Sequence, residues 1–152
     1  MKTIQQWFLR YGESHQNPTN LIIHKFAVPA IVLSILGMLW ALPTPWHGLL
    51  VNWSTLFVLG ALVFYLRLSM RLALGMALVA VIIFAGFFWL SGPMAVTLWP
   101  SMVVLFVASW IFQFIGHMIE GKKPSFFEDL QFLLIGPLWL LAMLYRRLNI
   151  KY

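Results

Sequence analysis

Residues 94–126 read MAVTLWPSMVVLFVASWIFQFIGHMIEGKKPSF, and they decide the class of fold. The first part, 94–115, contains no charged side chain and has 22 residues. At about 1.5 Å per residue, a helix of that length crosses the roughly 30 Å hydrocarbon core of a bilayer. The run then turns polar through Gln113, His117 and Glu120. The stretch therefore predicts a membrane-crossing helix that ends in groups able to bind a metal or move a proton.

The composition of the whole chain agrees with a membrane protein. Of its 152 residues, 62% are hydrophobic and only 9% are charged, whereas a soluble domain has about 25% charged residues. We predict an all-α integral membrane protein with a single domain, 1–152. The absence of cysteine excludes disulfides and thiolate metal sites. The first twenty residues lack the apolar core and small-residue cleavage site of a signal peptide, so we expect no cleaved leader.

Five apolar segments organise the chain. They are 21–42, 49–66, 72–90, 94–115 and 130–145. The last has 16 residues and contains Gly136-Pro137, so it reaches only about 24 Å even as an unbroken helix. The pattern predicts a helical bundle of four transmembrane helices plus a short C-terminal re-entrant or interfacial helix. The alternative is a fifth crossing through a locally thinned bilayer.

The lysines and arginines alternate along the chain and so predict its orientation. They lie before the first segment or at its start, between the second and third, after the fourth and after the fifth, while the other two connections have none. The positive-inside rule then places both termini in the cytoplasm. The formal net charge is +6, but the basic residues flank apolar segments. We therefore expect lipid headgroup contacts and no nucleic-acid partner. The membrane would be the cell inner membrane in a bacterium or the endoplasmic reticulum in a eukaryote.

The ionisable residues collect at the predicted cytoplasmic side. His15, His24 and His117 fall there together with all four acids of the chain, whereas His47 falls on the far side. Polar groups at membrane depth are costly and usually face the bundle interior, where they form functional sites. Imidazoles bind Zn, Fe or Cu, and an added carboxylate or open positions suit non-haem Fe(II). The competing interpretation is that each histidine is an interfacial polar residue without a ligand.

Two amides accompany these histidines at helical spacing. Asn17-Pro18 predicts the start of the first long helix, because Asn is a preferred N-cap and Pro a preferred first helical residue. Asn20 then lies four residues before His24, and Gln113 lies four residues before His117. Residues four apart are neighbours on one helix face. Asn20 and Gln113 are therefore candidates to hydrogen-bond the ring nitrogens that do not face the metal.

Two blocks of the sequence resemble the signature regions of a known membrane family. They are SHQNPTNLIIHKFAVPAI at 14–31 and WIFQFIGHMIEGKKPSFFEDLQFLLIGP at 110–137. The family is that of the 2-hydroxy fatty acid dioxygenases, whose fungal type acts in phytosphingosine breakdown. The resemblance implies an Fe(II)-dependent α-oxidation in which a 2-hydroxy fatty acid reacts with dioxygen. The product is the fatty acid one carbon shorter.

The resemblance also implies roles for individual residues. His15, His24 and His117 match the family's recurrent histidines and would hold the iron, and Glu120 or Glu128 would assist catalysis. The spacing departs from the family at one point, because two residues separate His117 from Glu120 where the family has three.

A membrane lipid or fatty acid would be the substrate, and the sequence does not indicate an oligomeric state. The rival interpretations are a haem-b electron carrier with axial His24 and His117, and a non-catalytic lipid-binding or interaction protein.

Overall fold

The computed structural model describes residues 2–45, 51–90, 95–121 and 126–152, with the backbone alone for 95–96 and 126–131. This part of the chain contains helices and no strand, as the all-α prediction requires. The six helices are α1 (Ile4–Gly12), α2 (Pro18–Ala41), α3 (Trp53–Leu66), α4 (Met70–Leu90), α5 (Ala95–Glu120) and α6 (Phe126–Arg147).

Helix α1 was not expected from the apolar pattern, because it is short and only one face is apolar. It begins with a capping box, in which the Thr3 side chain accepts from the Gln6 backbone N–H and the Gln6 side chain accepts from the Thr3 backbone N–H. The Thr-x-x-Gln spacing was the available signal for this start. Ile4 and Tyr11 are buried on one face of the helix, so α1 packs on the bundle.

Within the described ranges, three helices are long and apolar enough to cross a membrane. They are Pro18–Ala41, Met70–Leu90 and Thr97–Glu120. Helix α3 has only 14 residues, which is about 21 Å of helix. It begins at Trp53 rather than near residue 49, because the side chain of Asn52 caps it by accepting from the Thr55 backbone N–H at 3.0 Å. The fourth predicted crossing therefore stays a prediction.

Helix α2 is the centre of the bundle and packs most extensively against α5. As predicted, it starts with Asn17 as N-cap and Pro18 in its first turn. It lies antiparallel to α5: its late residues Leu36 and Trp40 share a buried cluster with Leu98 near the start of α5. The beginning of α2 consequently meets the end of α5. Gly121, with φ +72°, follows α5 directly and ends the helix there.

Helix α6 is longer than the short final helix that the sequence predicted. It has 22 residues and continues through Gly136-Pro137. The proline removes one backbone donor from the helix interior. The Tyr65 hydroxyl of α3 donates to the Leu134 carbonyl, one turn before the proline, at 2.8 Å. Leu138 of α6 is fully buried in a cluster with Ile4 and Leu72. Helix α6 is thereby fixed against α1 and against the start of α4.

Both termini lie at one end of this bundle. The Arg71 side chain at the start of α4 donates to the Lys151 carbonyl at 2.8 Å. The rings of Phe8 in α1 and Tyr152 at the C-terminus are 6.3 Å apart. Both chain ends therefore lie beside the connection between α3 and α4.

Candidate metal centre

His24 is held in α2 with one ring nitrogen already engaged. Its side chain is 1% exposed, and its Nδ1 lies 3.0 Å from the backbone carbonyl of Asn20, one turn earlier. A carbonyl oxygen only accepts, so the proton of the neutral ring is on Nδ1. The lone pair then belongs to Nε2, which is buried and has no hydrogen-bond partner. A buried nitrogen in this state is suited to bind a metal ion.

His15 lies in the connection between α1 and α2, and its ring is held in the same way as that of His24. Its Nδ1 donates to the Tyr11 carbonyl at 2.6 Å, again one turn earlier. Its ring stacks on the Tyr11 ring, with centroids 4.2 Å apart and planes 13° apart. These two contacts fix both the tautomer and the direction of the ring, so Nε2 is the nitrogen available to a metal.

His117 reaches the other two histidines because α5 approaches α2 very closely. The neighbouring Gly116 faces Asn20 and His24: a Cβ there would collide with the Asn20 side-chain oxygen and lie 3.2 Å from the His24 ring. The absence of a side chain at Gly116 thus brings the two helix backbones together at the level of the histidines. His117 is 6% exposed.

The three imidazoles form one buried cluster. The ring centroids are 4.3 Å apart for His15 and His24, 4.9 Å for His24 and His117, and 5.9 Å for His15 and His117. One nitrogen from each ring lies within 4.8 Å of the others. Metal–imidazole bonds of about 2.0–2.1 Å put ligand nitrogens roughly 3 Å apart, so binding an ion requires the rings to draw together by up to about 2 Å. The donor set fits a transition-metal ion such as iron, copper or zinc.

Glu120 is close to this cluster but engages a different group. Its Oε1 accepts from the Gln16 backbone N–H at 2.8 Å, and its Oε2 accepts from the Asn17 backbone N–H at 3.0 Å. The Asn20 side-chain amide also donates to Oε2, at 2.9 Å. The carboxylate therefore caps the N-terminus of α2, where unpaired N–H groups and the helix dipole favour a negative charge. It is not among the three residues that converge on a common point.

Comparison of the sequence with known protein families identifies the family of this chain. Residues 1–148 match the family described as 2-hydroxy-palmitic acid dioxygenase Mpo1-like. The chain belongs to the Mpo1-like family. This confirms the resemblance of the two sequence blocks and extends it over nearly the whole chain, including the middle helices. No curated protein and no solved structure matches the chain.

The two amides have different surroundings in this Mpo1-like chain. Asn20 offers His24 its backbone carbonyl, while its side-chain nitrogen donates to Glu120 and, at 3.1 Å, to the Ser14 carbonyl. Asn20 thus links the connection that carries His15 with the end of α5. The side-chain oxygen of Gln113 is buried and has no hydrogen-bond partner.

Other residues named from the sequence lie outside the described part of the chain. They are His47 and the side chain of Glu128.

Sequence reasoning missed the aromatic residues that support His15 in this Mpo1-like fold. Tyr11 stacks on it, and Trp139 of α6 has its ring 6.0 Å away. The four-residue spacing of Tyr11 and His15 was a weak signal for the first contact. No local pattern could indicate the second, because it depends on how α6 packs.

Proposed function

We propose that this chain is an Fe(II)-dependent dioxygenase that carries out α-oxidation of 2-hydroxy long-chain fatty acids to the acid one carbon shorter. The observation that carries this proposal is the convergence of three buried imidazoles in a member of the Mpo1-like family. Family membership supports the reaction class, and the donor set is compatible with iron.

The three histidines would hold the ion, with Nε2 of His15 and His24 directed by the carbonyls of Tyr11 and Asn20. When bound, Fe(II) would supply the redox chemistry that dioxygen requires, which Zn(II) does not. Three protein ligands leave coordination positions open for the oxygen atoms of a substrate. The burial of all three rings keeps bulk water away from that space.

The overall reaction balances without another reductant. A 2-hydroxy acid and one dioxygen give the acid one carbon shorter, one carbon dioxide and one water. The bond between C1 and C2 of the acid breaks, C2 becomes the new carboxyl carbon, and C1 leaves as carbon dioxide. The four electrons removed from the two carbons reduce dioxygen. The hydroxyl is needed because it already gives C2 one of the bonds to oxygen that the new carboxyl group requires.

We further propose that Glu120 positions the cluster and does not itself bind the ion. Its two oxygens tie the end of α5, next to His117, to the backbone that follows His15. Hydrogen-bonded residues around a metal site typically change metal affinity or activity by about 10–100-fold when mutated. Glu128 stays a candidate catalytic helper on the strength of the family pattern.

We place the protein in a membrane, as a bundle of four crossings with the histidine cluster on the cytoplasmic side. Three long apolar helices and the alternation of basic connections support this arrangement. The membrane would be the cell inner membrane in a bacterium or the endoplasmic reticulum in a eukaryote. Arg10, Lys122 and Lys123 are charged groups on that side that would attract the substrate carboxylate or anionic headgroups.

The haem alternative is disfavoured by the packing of the rings. Axial ligands stand on opposite faces of a porphyrin, whereas the centroids of His24 and His117 are 4.9 Å apart and their planes are nearly perpendicular. His15 packs against both of them. The non-catalytic alternative does not explain why His15 and His24 both bind a backbone carbonyl through Nδ1 and direct Nε2 into the cluster.

Product analysis with isotopically labelled dioxygen tests the proposal. Detergent-purified protein is prepared anaerobically, loaded with Fe(II) or Zn(II), and given 2-hydroxypalmitic acid or palmitic acid. We expect the acid one carbon shorter, with label in its carboxyl group, only from the hydroxy acid and only with iron. Equal turnover with both metals, or turnover in the presence of chelator, would overturn the dioxygenase proposal.

A further inference from the structure

A cavity of about 50 Å³ lies inside the bundle, away from the histidine cluster. It is bounded by α2, α3, α4 and the middle of α6. Since a single water needs about 10–15 Å³ on this measure, the space accommodates roughly four groups of that size. A cavity of this volume is large enough for several methylene groups of an alkyl chain.

The wall of the cavity is apolar. Its lining consists of aliphatic, methionine and phenylalanine side chains and Pro137, together with Tyr65. The Tyr65 hydroxyl is already bound to the Leu134 carbonyl at 2.8 Å, so the wall presents no free hydrogen-bonding group to an occupant. Apolar cavities stay dry and take up hydrocarbon. The apolar lining therefore favours an alkyl group as the occupant of the cavity.

The position of the cavity relates it to the histidine cluster. His24, Val28 and Val32 are spaced four residues apart on α2, and Val32 lines the cavity. Residues at this spacing lie one above another on the same helix face, so the cavity begins about 12 Å from His24 along the helix. Between the two levels, Val28 packs against the backbone of Gly136, and a Cβ on Gly136 would lie only 3.2 Å from Val28.

The cavity also has a near end and a far end. Helices α2 and α4 run in the same direction, because Trp40 near the end of α2 packs on Phe84 and Phe87 near the end of α4. Met76 therefore lies at the end of the cavity nearer the histidines, Ala80 in the middle and Ile83 at the far end. Phe57 and Val79 are 39% and 37% exposed, so the cavity reaches the lipid-facing surface of the bundle.

We propose that this cavity binds the distal part of the substrate's acyl chain and sets the chain-length preference of the enzyme. The inference rests on the proposed function, which places the carboxylate and 2-hydroxyl at the histidine cluster. A long chain extends from there past Val28, which has to move away from Gly136 to admit it, and ends between Ala80 and Ile83. An eight-carbon chain ends before the cavity and gains nothing from it.

Filling and enlarging the cavity test this proposal in opposite directions. Ala80→Phe fills its middle, and Ala85→Phe adds the same group on an exposed face of the same helix. Ile83→Ala enlarges its far end, and Ile82→Ala removes the same atoms from a side chain that is 63% exposed. Each variant is given 2-hydroxypalmitic acid and 2-hydroxyoctanoic acid, and kcat/KM is compared within the same preparation.

Each buried methylene changes binding by about fourfold. Ala80→Phe should therefore lower the ratio of kcat/KM for the long acid over the short acid by about tenfold or more. Ile83→Ala should shift the optimum towards longer acids, and both control variants should keep the wild-type ratio. If Ala80→Phe lowers the turnover of both acids equally, the cavity is a packing void and the proposal is wrong.

A binding measurement separates failure of this proposal from failure of the proposed function. Iron-loaded protein kept without dioxygen is heated with each acid, because a ligand of the folded state raises Tm. We expect a larger rise with the long acid than with the short acid in wild type, and equal rises in Ala80→Phe. Turnover without chain-length discrimination overturns the cavity assignment alone, whereas discrimination without turnover overturns the dioxygenase alone.

Discussion

The two ends of the α2–α5 pair are built with the same device but differ in what they bury. At each end a glycine lets the helices approach: Gly116 faces Asn20 and His24, and Gly37 faces Met102 and Phe87. At the Gly116 end the neighbours are polar and engaged in named hydrogen bonds. At the Gly37 end they belong to a hydrophobic cluster with Leu36 and Trp40. Close approach alone therefore does not mark a functional site.

The two ends differ in how easily the side chains that face the glycine can move. Met102 has a long flexible side chain, which adapts readily to a change of shape. Asn20 and His24 are held by hydrogen bonds whose directions matter, so they cannot move without losing partners. We therefore expect an extra methyl group to be tolerated at the Gly37 end and to displace the histidines at the Gly116 end.

Removing a histidine should have the largest effect. His24→Ala, and equally His15→Ala or His117→Ala, takes away one of three candidate ligands. We expect bound iron to fall to background and turnover to be abolished. Metal content by elemental analysis and product formation check this in protein whose helical circular dichroism is unchanged. A variant that keeps stoichiometric iron and activity would exclude that histidine as a ligand.

The next largest effect should come from Gly116→Ala. The added Cβ pushes against the Asn20 oxygen and the His24 ring, and a displacement of about 1 Å at a reactive site costs roughly a hundredfold in rate. We expect a fall in kcat of tenfold or more with helical content retained. Wild-type kcat in this variant would show that the close approach has no bearing on the site.

Glu120→Gln should give a partial loss. The amide keeps one acceptor oxygen but presents an NH₂ group to N–H donors of Gln16, Asn17 and Asn20. We expect iron affinity and kcat to fall by about tenfold, within the range typical of residues that support a metal site. If excess Fe(II) restores the wild-type rate, Glu120 acts through metal retention. Complete loss at saturating iron would instead assign it a direct role at the reacting atoms.

Gly37→Ala should leave turnover within about twofold of wild type. Overpacking a core costs about 1–3 kcal/mol, and we expect the lower end because Met102 can give way. Thermal unfolding in detergent gives the stability change, and parallel assays give kcat for Gly37→Ala and Gly116→Ala. Equal losses of kcat in the two variants would remove the distinction between the two ends.

His47→Ala should have the smallest effect. The sequence places this histidine beyond the membrane face opposite the other three, roughly 30 Å away. Metal content and kcat should match wild type. A loss like that of His24→Ala would contradict the predicted orientation of the helices.

Much of the fold could be predicted because hydropathy reports helix length directly. The apolar runs 21–42 and 72–90 correspond closely to α2 and α4. Helix α1 escaped prediction because a short amphipathic helix produces no long apolar run. The length of α6 was underestimated because the apolar run 130–145 leaves out the polar ends of the helix, 126–129 and 146–147. The packing of α6 on α1 and α4 cannot be deduced from local sequence.

For the site, local spacing was enough to nominate residues but not to assign contacts. Asn20 and His24 were expected to interact at four-residue spacing, and they do so through the Asn20 backbone rather than its amide. The hydrogen bonds of Glu120 to Gln16 and Asn17 join distant parts of the chain, so no spacing rule could predict them. The departure in spacing between His117 and Glu120 was the one hint that this carboxylate has another role.

The bond between Gln16 and Glu120 spans 104 residues, and this separation has a consequence for biosynthesis. His15 and His24 leave the ribosome long before His117, and a nascent chain that ends before α5 has no complete set of ligands. The contact requires the end of α5, which is synthesised more than a hundred residues after Gln16, so this end of the bundle forms late. An ion bound by all three histidines, as proposed above, would fasten the beginning of the chain to its fifth helix. Iron supply would then govern how long the finished protein survives in the cell, since a ligand bound only by the folded state protects it from unfolding.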